Sequence, residues 1–403
     1  MRRRLMRFLA APDDGGELEL VVWESRPRPL SDEERATALS LGIAETEIAT
    51  ELEEDIVTGV LLNRRSGVVF PIHHGVPRLL VFPTAVARAF ATEHRRRLDT
   101  ELEGFRLPDG EGVPGEEDVL RSFSAEWLGY EWDGRSYWNL RPEEWFRCMR
   151  WTLGVDDHPI RGRRVLEVGI GVGATADHLS RTEGAEVVGV DLSHAVDAAA
   201  KSFGDNPFLH VVQASAYALP LEPASFDFVY SFGVLHHTYS TVDGVRSVAR
   251  MPASGGRLYV WVYSPWDEER TPVRRLLMGL EKATRPVLWR LPGPLQTVAI
   301  LPLVPLYMGF QALRKLRGGA EGQAYYGFSD ALHAARDRFT PRFIHRHTDE
   351  ELAGWFREAG YGDLEITSQR PKPDFVPEAF TACAGVSGRR LEAVPRAGGE
   401  ATS

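Results

Sequence analysis

The sequence predicts an α/β protein: a doubly wound, mostly parallel sheet with a helical insertion, preceded by a small β-rich domain. Three observations predict it. From residue 161 to 263, apolar strand patterns alternate with short helical ones. That alternation implies a parallel sheet covered by helices on both faces. A glycine loop, Gly169-Ile170-Gly171-Val172-Gly173, falls between the first strand and the first helix of the series. Residues 1–90 read instead as short strands joined by turns.

At 403 residues the chain has room for roughly two or three domains. Its 43% apolar and 26% charged residues place it among ordinary globular chains, apart from disordered and fibrous ones. The net charge of −10 lacks the basic balance of a nucleic-acid binder, so no nucleic-acid partner is expected. Cys148 and Cys383 are far apart, in neither metal nor redox spacing. No metal site is read, and a reducing cytoplasm is the expected location. The basic start, through Arg7, is soon followed by Asp13, Asp14 and Glu17 without a long apolar core, so no signal peptide is read.

Within residues 1–90, 18–23 alternates like a strand and 31–52 is rich in helix formers. Residues 56–62 and 67–70 read as a hairpin joined by 63–66. Then follows Phe70-Pro71-Ile72-His73-His74-Gly75-Val76-Pro77-Arg78-Leu79-Leu80. This stretch resembles the zinc-ribbon domains of the tRNA-methyltransferase-activator family. Those end in a tyrosine-proline-isoleucine, glycine-isoleucine-proline, leucine-leucine pattern. The family's paired cysteines are absent, and 63–66 stands where one pair would be. Without thiolates a tetrahedral zinc site of the usual type is lost. A metal-free, degenerate ribbon packed on the next domain is expected, with His73 and His74 in a surface loop.

Residues 91–160 read as a linker and a helical cap. Residues 107–115 are a Gly/Pro-rich loop. The aromatic stretches 123–127 and 132–145 either pack a helix onto the sheet or cap a ligand. The main domain is expected over 161–385. Its strands fall at 164–168, 186–191, 209–213, 226–231 and 256–263, and its helices at 174–181, 194–203 and 242–251. Residues 264–340 form the helical insertion. Within it, 295–313 is strongly apolar, and a membrane-spanning helix needs about 20 such residues. Pro302 and Pro305 interrupt the run, so two short buried helices are expected. The sharper alternative is contact with a membrane or a lipid. A helix at 348–360 carries a capping box, Thr348 with Glu351, and stops at Gly360. A strand follows at 361–368, and 386–403 is expected to be a disordered tail.

The chemistry centres on Glu167-Val168-Gly169-Ile170-Gly171-Val172-Gly173. Glycines let the backbone turn tightly and approach a ligand. The helix N-terminus offers free N–H groups to a carboxylate. The next strand ends at Asp191, whose carboxylate can accept ribose hydroxyls. The segment Gly171-Val172-Gly173-Ala174-Thr175-Ala176 also fits a dinucleotide fingerprint with alanine last, so an NAD-binding domain is the competitor. Later residues decide between them. Ala214-Ser215-Ala216 follows the third strand, and Tyr230-Ser231-Phe232-Gly233-Val234-Leu235-His236-His237 ends the fourth.

With Gly255-Gly256-Arg257-Leu258, these segments resemble class I S-adenosylmethionine (SAM) dependent methyltransferases of the ubiquinone-biosynthesis-like group. The resemblance spans residues 120–265. It implies a Rossmann-like methyltransferase sheet and SAM as cofactor. It implies cofactor contacts from Glu167, Gly169, Gly171, Gly173, Asp191, Leu192, Ser215, Ala216 and Ser231. Where the family has glycine-aspartate-alanine near the adenine, this chain has Ser215, a weaker neutral acceptor. His236 and His237 are the candidate catalytic bases; each could equally hydrogen-bond a loop carbonyl. Tyr230 and Tyr263 are candidate pocket residues. His345, His347 and the arginines 336, 338, 342 and 346 form a locally basic stretch, read as a solvated face or as contacts to an anionic substrate. The expected activity is methyl transfer, with O-methylation foremost, to a small-molecule, glycan or lipid intermediate. The competing reading is a non-catalytic SAM-fold binding or scaffold protein.

Overall fold

The computed structural model describes residues 1–127, 140–265, 272–306, 308, 309, 312 and 327–392. The described strands form one sheet. They are β1 (Glu19–Pro27), β2 (Glu54–Asn63), β3 (Val68–His73), β4 (Val76–Leu79), β5 (Arg164–Val168), β6 (Glu186–Asp191), β7 (Leu209–Ala214), β8 (Phe226–Phe232), β9 (Pro252–Val262), β10 (Tyr361–Ile366) and β11 (Ala384–Arg390). Their order is β1-β2-β3-β4-β7-β6-β5-β8-β9-β11-β10.

The middle strands β7, β6, β5, β8 and β9 run parallel, and β11 is antiparallel to both its neighbours. These are the near-continuous apolar segments of the sequence. Their alternation sends Leu166, Val188, Val190, Val212, Val229 and Val260 to one face, where Val245, Val248, Leu352 and Phe356 cover them. Val165, Val187, Leu209, Phe228 and Tyr230 go to the other, under Ala176, Leu179, Val196, Ala199 and Met149. The sheet is therefore Rossmann-like and doubly wound, with its polar loops at the strand ends.

The N-terminal strands were expected as a separate small domain. They instead extend the main sheet, because β4 pairs with β7 in parallel through Arg78↔Gln213 and Leu79↔Ala214. Arg78 is buried there and hydrogen-bonds Gln213 Oε1 at 3.2 Å. The helix expected over 31–52 is broken into Asp32–Ser40, Glu45–Glu47 and a wide turn at Ile48–Leu52. The break falls at Gly42, whose φ is +76°. His73 and His74 stack with ring centroids 4.0 Å apart.

The expected disordered tail from 386 is corrected. Residues 384–390 are β11, paired from Ala384↔Val262 to Arg389↔Arg257. Its Gly385 is a packing requirement, since a Cβ there would lie 2.5 Å from Thr367 Oγ1 and 2.9 Å from Tyr259 Oη. Residues 393–403 lie outside the described residues.

The insertion holds helices Pro272–Leu288, Gly293–Ile300 and Phe328–Phe339. The apolar run is indeed broken at Leu301–Leu303, but it is only half buried. Ile300 and Val304 face inward, while Leu295, Val298, Leu301 and Leu306 are exposed. Residues 307, 310, 311 and 313 of the run lie outside the described residues, as does 132–139 of the aromatic stretch. Among the described residues no helix is long and apolar enough to cross a membrane.

A buried ion network fastens the N-terminus to the sheet. Arg4 donates to Glu186 Oε1 at 2.9 Å and Oε2 at 3.2 Å, and to Glu51 at 3.1 Å. His210 Nε2 lies 3.3 Å from Glu186. Burial pushes the Glu186 pKa up, but His210 and Arg4 more than offset it and hold it at about 2. Arg4→Ala would leave buried Glu186 without its guanidinium partner and with His210 alone, at a cost of about 3 kcal/mol in urea unfolding at pH 7. Because the folded pKa is depressed, the stabilisation is complete above the unfolded value of 4.5 and is lost as pH falls toward 2. An Arg4→Ala midpoint equal to wild type would refute this.

Candidate active site

A cavity of about 440 Å³ opens at the carboxyl ends of β5, β6, β7 and β8. That size suits a ligand of cofactor dimensions. Its floor is the loop 169–173 between β5 and helix Ala174–Arg181. Gly169, Gly171 and Gly173 have φ of +92°, +54° and +84°, a region that side chains disfavour. At Gly169 a Cβ would also lie 2.1 Å from Val234 Cγ2, in the loop after β8.

The loop positions Asp191. Gly171 N–H donates to Asp191 Oδ2 at 3.0 Å. Ser193 donates to Oδ1 from N–H at 2.8 Å and from O–H at 2.7 Å. Burial raises the Asp191 pKa, and these donors oppose the rise. Glu167 stands one strand away. Burial, relieved in part by a Tyr230 hydrogen bond and reinforced by the Asp191 charge, pushes its pKa up to about 8. Glu167 is thus mostly neutral at pH 7, while the donors at Asp191 favour its charged form.

Past Asp191, the wall at the end of β7 is Leu192, Ala214 and Ala216, facing Val113, Glu116 and Val119 from the cap. Glu116 opens helix Glu116–Trp127 and is buried. Its carboxyl accepts from the Ser215 hydroxyl and, at 3.1 Å, from Val113 N–H. Burial raises its pKa. Trp145 closes the cap over the loop, its Nε1–H bonding Thr175 Oγ1 at 3.0 Å.

The far side is built by the turn Leu235–His237, by Tyr263 after β9, and by helix Phe328–Phe339. His237 Nδ1 lies 3.2 Å from the Phe343 carbonyl, which can accept only from a protonated Nδ1. Its Nε2 lies 3.4 Å from Asp337 Oδ1. Tyr263 donates its hydroxyl to Asp337 Oδ2 at 2.6 Å. Burial opposes ionisation of Asp337, but His237, Tyr263 and His333 hold its pKa below the usual carboxylate range. Glu126, also lining the cavity, meets His333 at 3.2 Å. Burial and the nearby Asp337 push Glu126 well above its usual range, and burial lowers His333 to about 4. Burial thus works against charge on both members of that pair.

Of the residues expected from sequence, Glu167, Gly169, Gly171, Asp191, Leu192, Ala216, His237 and Tyr263 line this one cavity. Gly173 lies just behind it, starting the helix. Ser231 is not in the wall; its hydroxyl ties β8 to the Val168 carbonyl at 2.9 Å. Ser215 is also withdrawn, committed to Glu116 and to Tyr217 N–H. Tyr230 is fully buried behind Glu167. His236 is fully buried, its ring tilted 34° against Tyr263 with centroids 4.0 Å apart, and burial drives its pKa well below normal. It does not line the cavity, which leaves His237 as the candidate base of the pair.

Glu116, Glu126 and Asp337 were not foreseen. Glu126 and Asp337 sit inside stretches noted for aromatics and for arginines; Glu116 carried no signal. The arginines are not a simple solvated face. Arg338 and Arg346 line the cavity and share Glu281 at 2.9 and 3.0 Å. Among the described residues no group of three or more His, Cys, Asp or Glu is placed to hold a metal ion.

Residues 166–260 match the family model described as a methyltransferase domain. A ubiquinone biosynthesis O-methyltransferase of Paracidovorax citrulli is 31% identical over 160 residues, 37% of this chain and 60% of the relative. A tRNA U34 carboxymethyltransferase of Pseudoalteromonas translucida is 36% identical over 122 residues, 28% of this chain and 37% of the relative. A solved phosphoethanolamine N-methyltransferase 2 of Haemonchus contortus, in complex with S-adenosyl-L-methionine, aligns with TM-score 0.41 at 14% identity, over 72% of this chain and 63% of that one. The chain thus covers less than two thirds of each of these relatives.

The protonated Glu167 makes a testable mark. A carboxyl whose folded pKa is raised stabilises the fold fully below the unfolded value of 4.5, and that contribution is lost as pH rises through about 8. Urea midpoints of the wild type should therefore fall between pH 5 and 8 more steeply than those of Glu167→Gln. Parallel curves for the two proteins would assign the proton elsewhere.

Proposed function

We propose that this protein is a SAM-dependent methyltransferase that methylates an oxygen of a small-molecule, glycan or lipid intermediate. The observation that carries the proposal is the single cavity joining the glycine loop and Asp191 to the His237–Asp337–Tyr263 cluster. The residues fit the cofactor. Backbone N–H groups at the start of helix Ala174–Arg181 would take its carboxylate. Asp191, already oriented by Gly171 and Ser193, would accept the ribose hydroxyls. Leu192, Ala214 and Ala216 would lie against the base.

SAM supplies a methyl group on a sulfonium, an excellent leaving group. The chain then has to align an acceptor in line with that methyl and manage one proton. Alignment is worth several kcal/mol. It comes from a cavity closed by Phe123, Trp127, Trp145 and Phe380, which also exclude water. The proton goes to His237. Phe343 fixes the proton on Nδ1, so Nε2 is the basic nitrogen. Asp337 Oδ1 lies 3.4 Å from that nitrogen, and Tyr263 keeps Asp337 in place. Arg338 and Arg346 support an acceptor carrying an anionic group. The exposed Leu295, Val298, Leu301 and Leu306 support a lipid among the acceptor classes. We read residues 1–90 as a metal-free counterpart of an activator ribbon, fused in place; the Phe70-Pro71-Ile72 and Val76-Pro77 segments in β3 and β4 support that reading.

Calorimetry should find saturable SAM binding by the wild type and at least a tenfold loss in Asp191→Ala. In an acceptor screen, His237→Gln should lower kcat by about 10²–10⁴-fold with SAM affinity within twofold. Binding of a nicotinamide dinucleotide with no SAM binding would overturn the assignment. SAM binding with no turnover on any acceptor, in wild type and variants alike, would favour a binding or scaffold protein.

A further inference from the structure

The nucleoside end of the cavity holds a polar group that the glycine-loop motifs do not predict. Asp191 ends β6, and the next strand outward from the loop is β7. A base attached to a ribose on Asp191, directed away from the loop, reaches the end of β7. The walls there, Leu192, Ala214 and Ala216, are apolar and can only pack against a ring. Ser215 is turned away, with its hydroxyl donating to Glu116 and accepting from Tyr217 N–H at 3.1 Å. The Tyr217 hydroxyl is itself occupied, giving to the Ser240 carbonyl at 3.0 Å and taking from Ser240 N–H at 2.7 Å.

Glu116 differs. Each of its carboxyl oxygens accepts one hydrogen bond, from Ser215 and from Val113, so each keeps acceptor capacity. Its position is fixed from both sides. Gly115 before it has φ +81°, and a Cβ on Gly112 would lie 2.6 Å from Glu116 Oε2. The carboxyl is therefore built into the wall, in contact with the residue that stands where an acid is missing from the strand.

We propose that Glu116 reads the exocyclic amine of the cofactor's adenine, an acid supplied by the cap helix in place of one on β7. The proposal rests on the methyl-donor reading above. An adenine presents N–H donors at this position, which a carboxylate accepts. A hypoxanthine presents a carbonyl oxygen, which a carboxylate repels. Glu116 thus sets base specificity, and it couples cofactor binding to docking of helix Glu116–Trp127, which also carries Phe123 and Glu126 into the cavity.

The test is calorimetric titration of S-adenosylhomocysteine and its inosine counterpart into wild type, Glu116→Ala and Glu116→Gln, with circular dichroism to check folding. Wild type should prefer the adenosine compound. Glu116→Ala should weaken it by about 10–100-fold while leaving the inosine compound nearly unchanged, so that discrimination collapses. Glu116→Gln, which keeps the shape and can donate to a carbonyl, should shift preference toward inosine; it carries the test if the alanine variant does not fold. Unaltered discrimination in the folded variants would overturn the proposal with the methyl-donor reading intact. A wild type that binds neither compound would overturn that reading, and this proposal with it.

Discussion

One hydrogen bond sets the geometry on which the site depends: Gly171 N–H to Asp191 Oδ2. It can form only if the backbone at 171 turns to positive φ, and only if Gly169 leaves room for Val234. These requirements bring the ends of β5, β6 and β8 together. They also settle where charge can sit. Two carboxyl groups, Glu167 and Asp191, stand on adjacent strands in the wall of one cavity. Backbone donors favour charge on Asp191, and burial keeps a proton on Glu167, against Tyr230. A buried pair of like charges would be far more costly.

The inner sheet was legible because its strands are apolar on both faces and its helices are short and amphipathic. Those are local patterns. How the sheet ends is not local. Strand β4 joins β7 through only Arg78 and Leu79, and no periodicity in either strand specifies that pairing. Its energetic basis lies in side chains distant in sequence. Arg78 is buried against Gln213 and Asp197, and Gln213 in turn holds the Leu192 carbonyl at 2.9 Å. The N-terminal strands are therefore part of the support for a cavity wall. At the other end, Gly385, Ser387 and Gly388 give β11 the composition of a loop. It is a strand because it pairs with both β9 and β10, and its two glycines sit where neighbours leave no space for larger side chains. Composition rewards bulk in strands, so it misjudges one made small by its neighbours.

The site divides along the same line. Residues carried by the strand–loop–helix motif were readable, since their spacing encodes the geometry. The acids brought by other segments were not. Glu116, Glu126 and Asp337 meet the motif only after the cap and the insertion have docked, and each is an ordinary surface-type residue by local context. Ser215 shows the cost of position-by-position transfer. It occupies the place of a binding acid, yet its hydroxyl serves Glu116. The acid at the end of β7 is Glu116, which arrives from a different element.

His236 and His237 make the point most sharply, because no sequence argument separates them. The tight turn Leu235–His237 sends the two rings to different environments. His236 enters the core against Tyr263, where burial keeps it neutral and far from any titration near pH 7. His237 reaches the cavity and finds both a carbonyl for Nδ1 and a carboxylate for Nε2. The first reading offered for the pair was a base or a partner for a loop carbonyl. His237 makes the carbonyl contact, and its place on the cavity wall is what the proposed role as a base rests on. The insertion supplies that carboxylate, Asp337, from the helix Phe328–Phe339, so the segment expected to choose the acceptor also reaches the cavity wall beside His237.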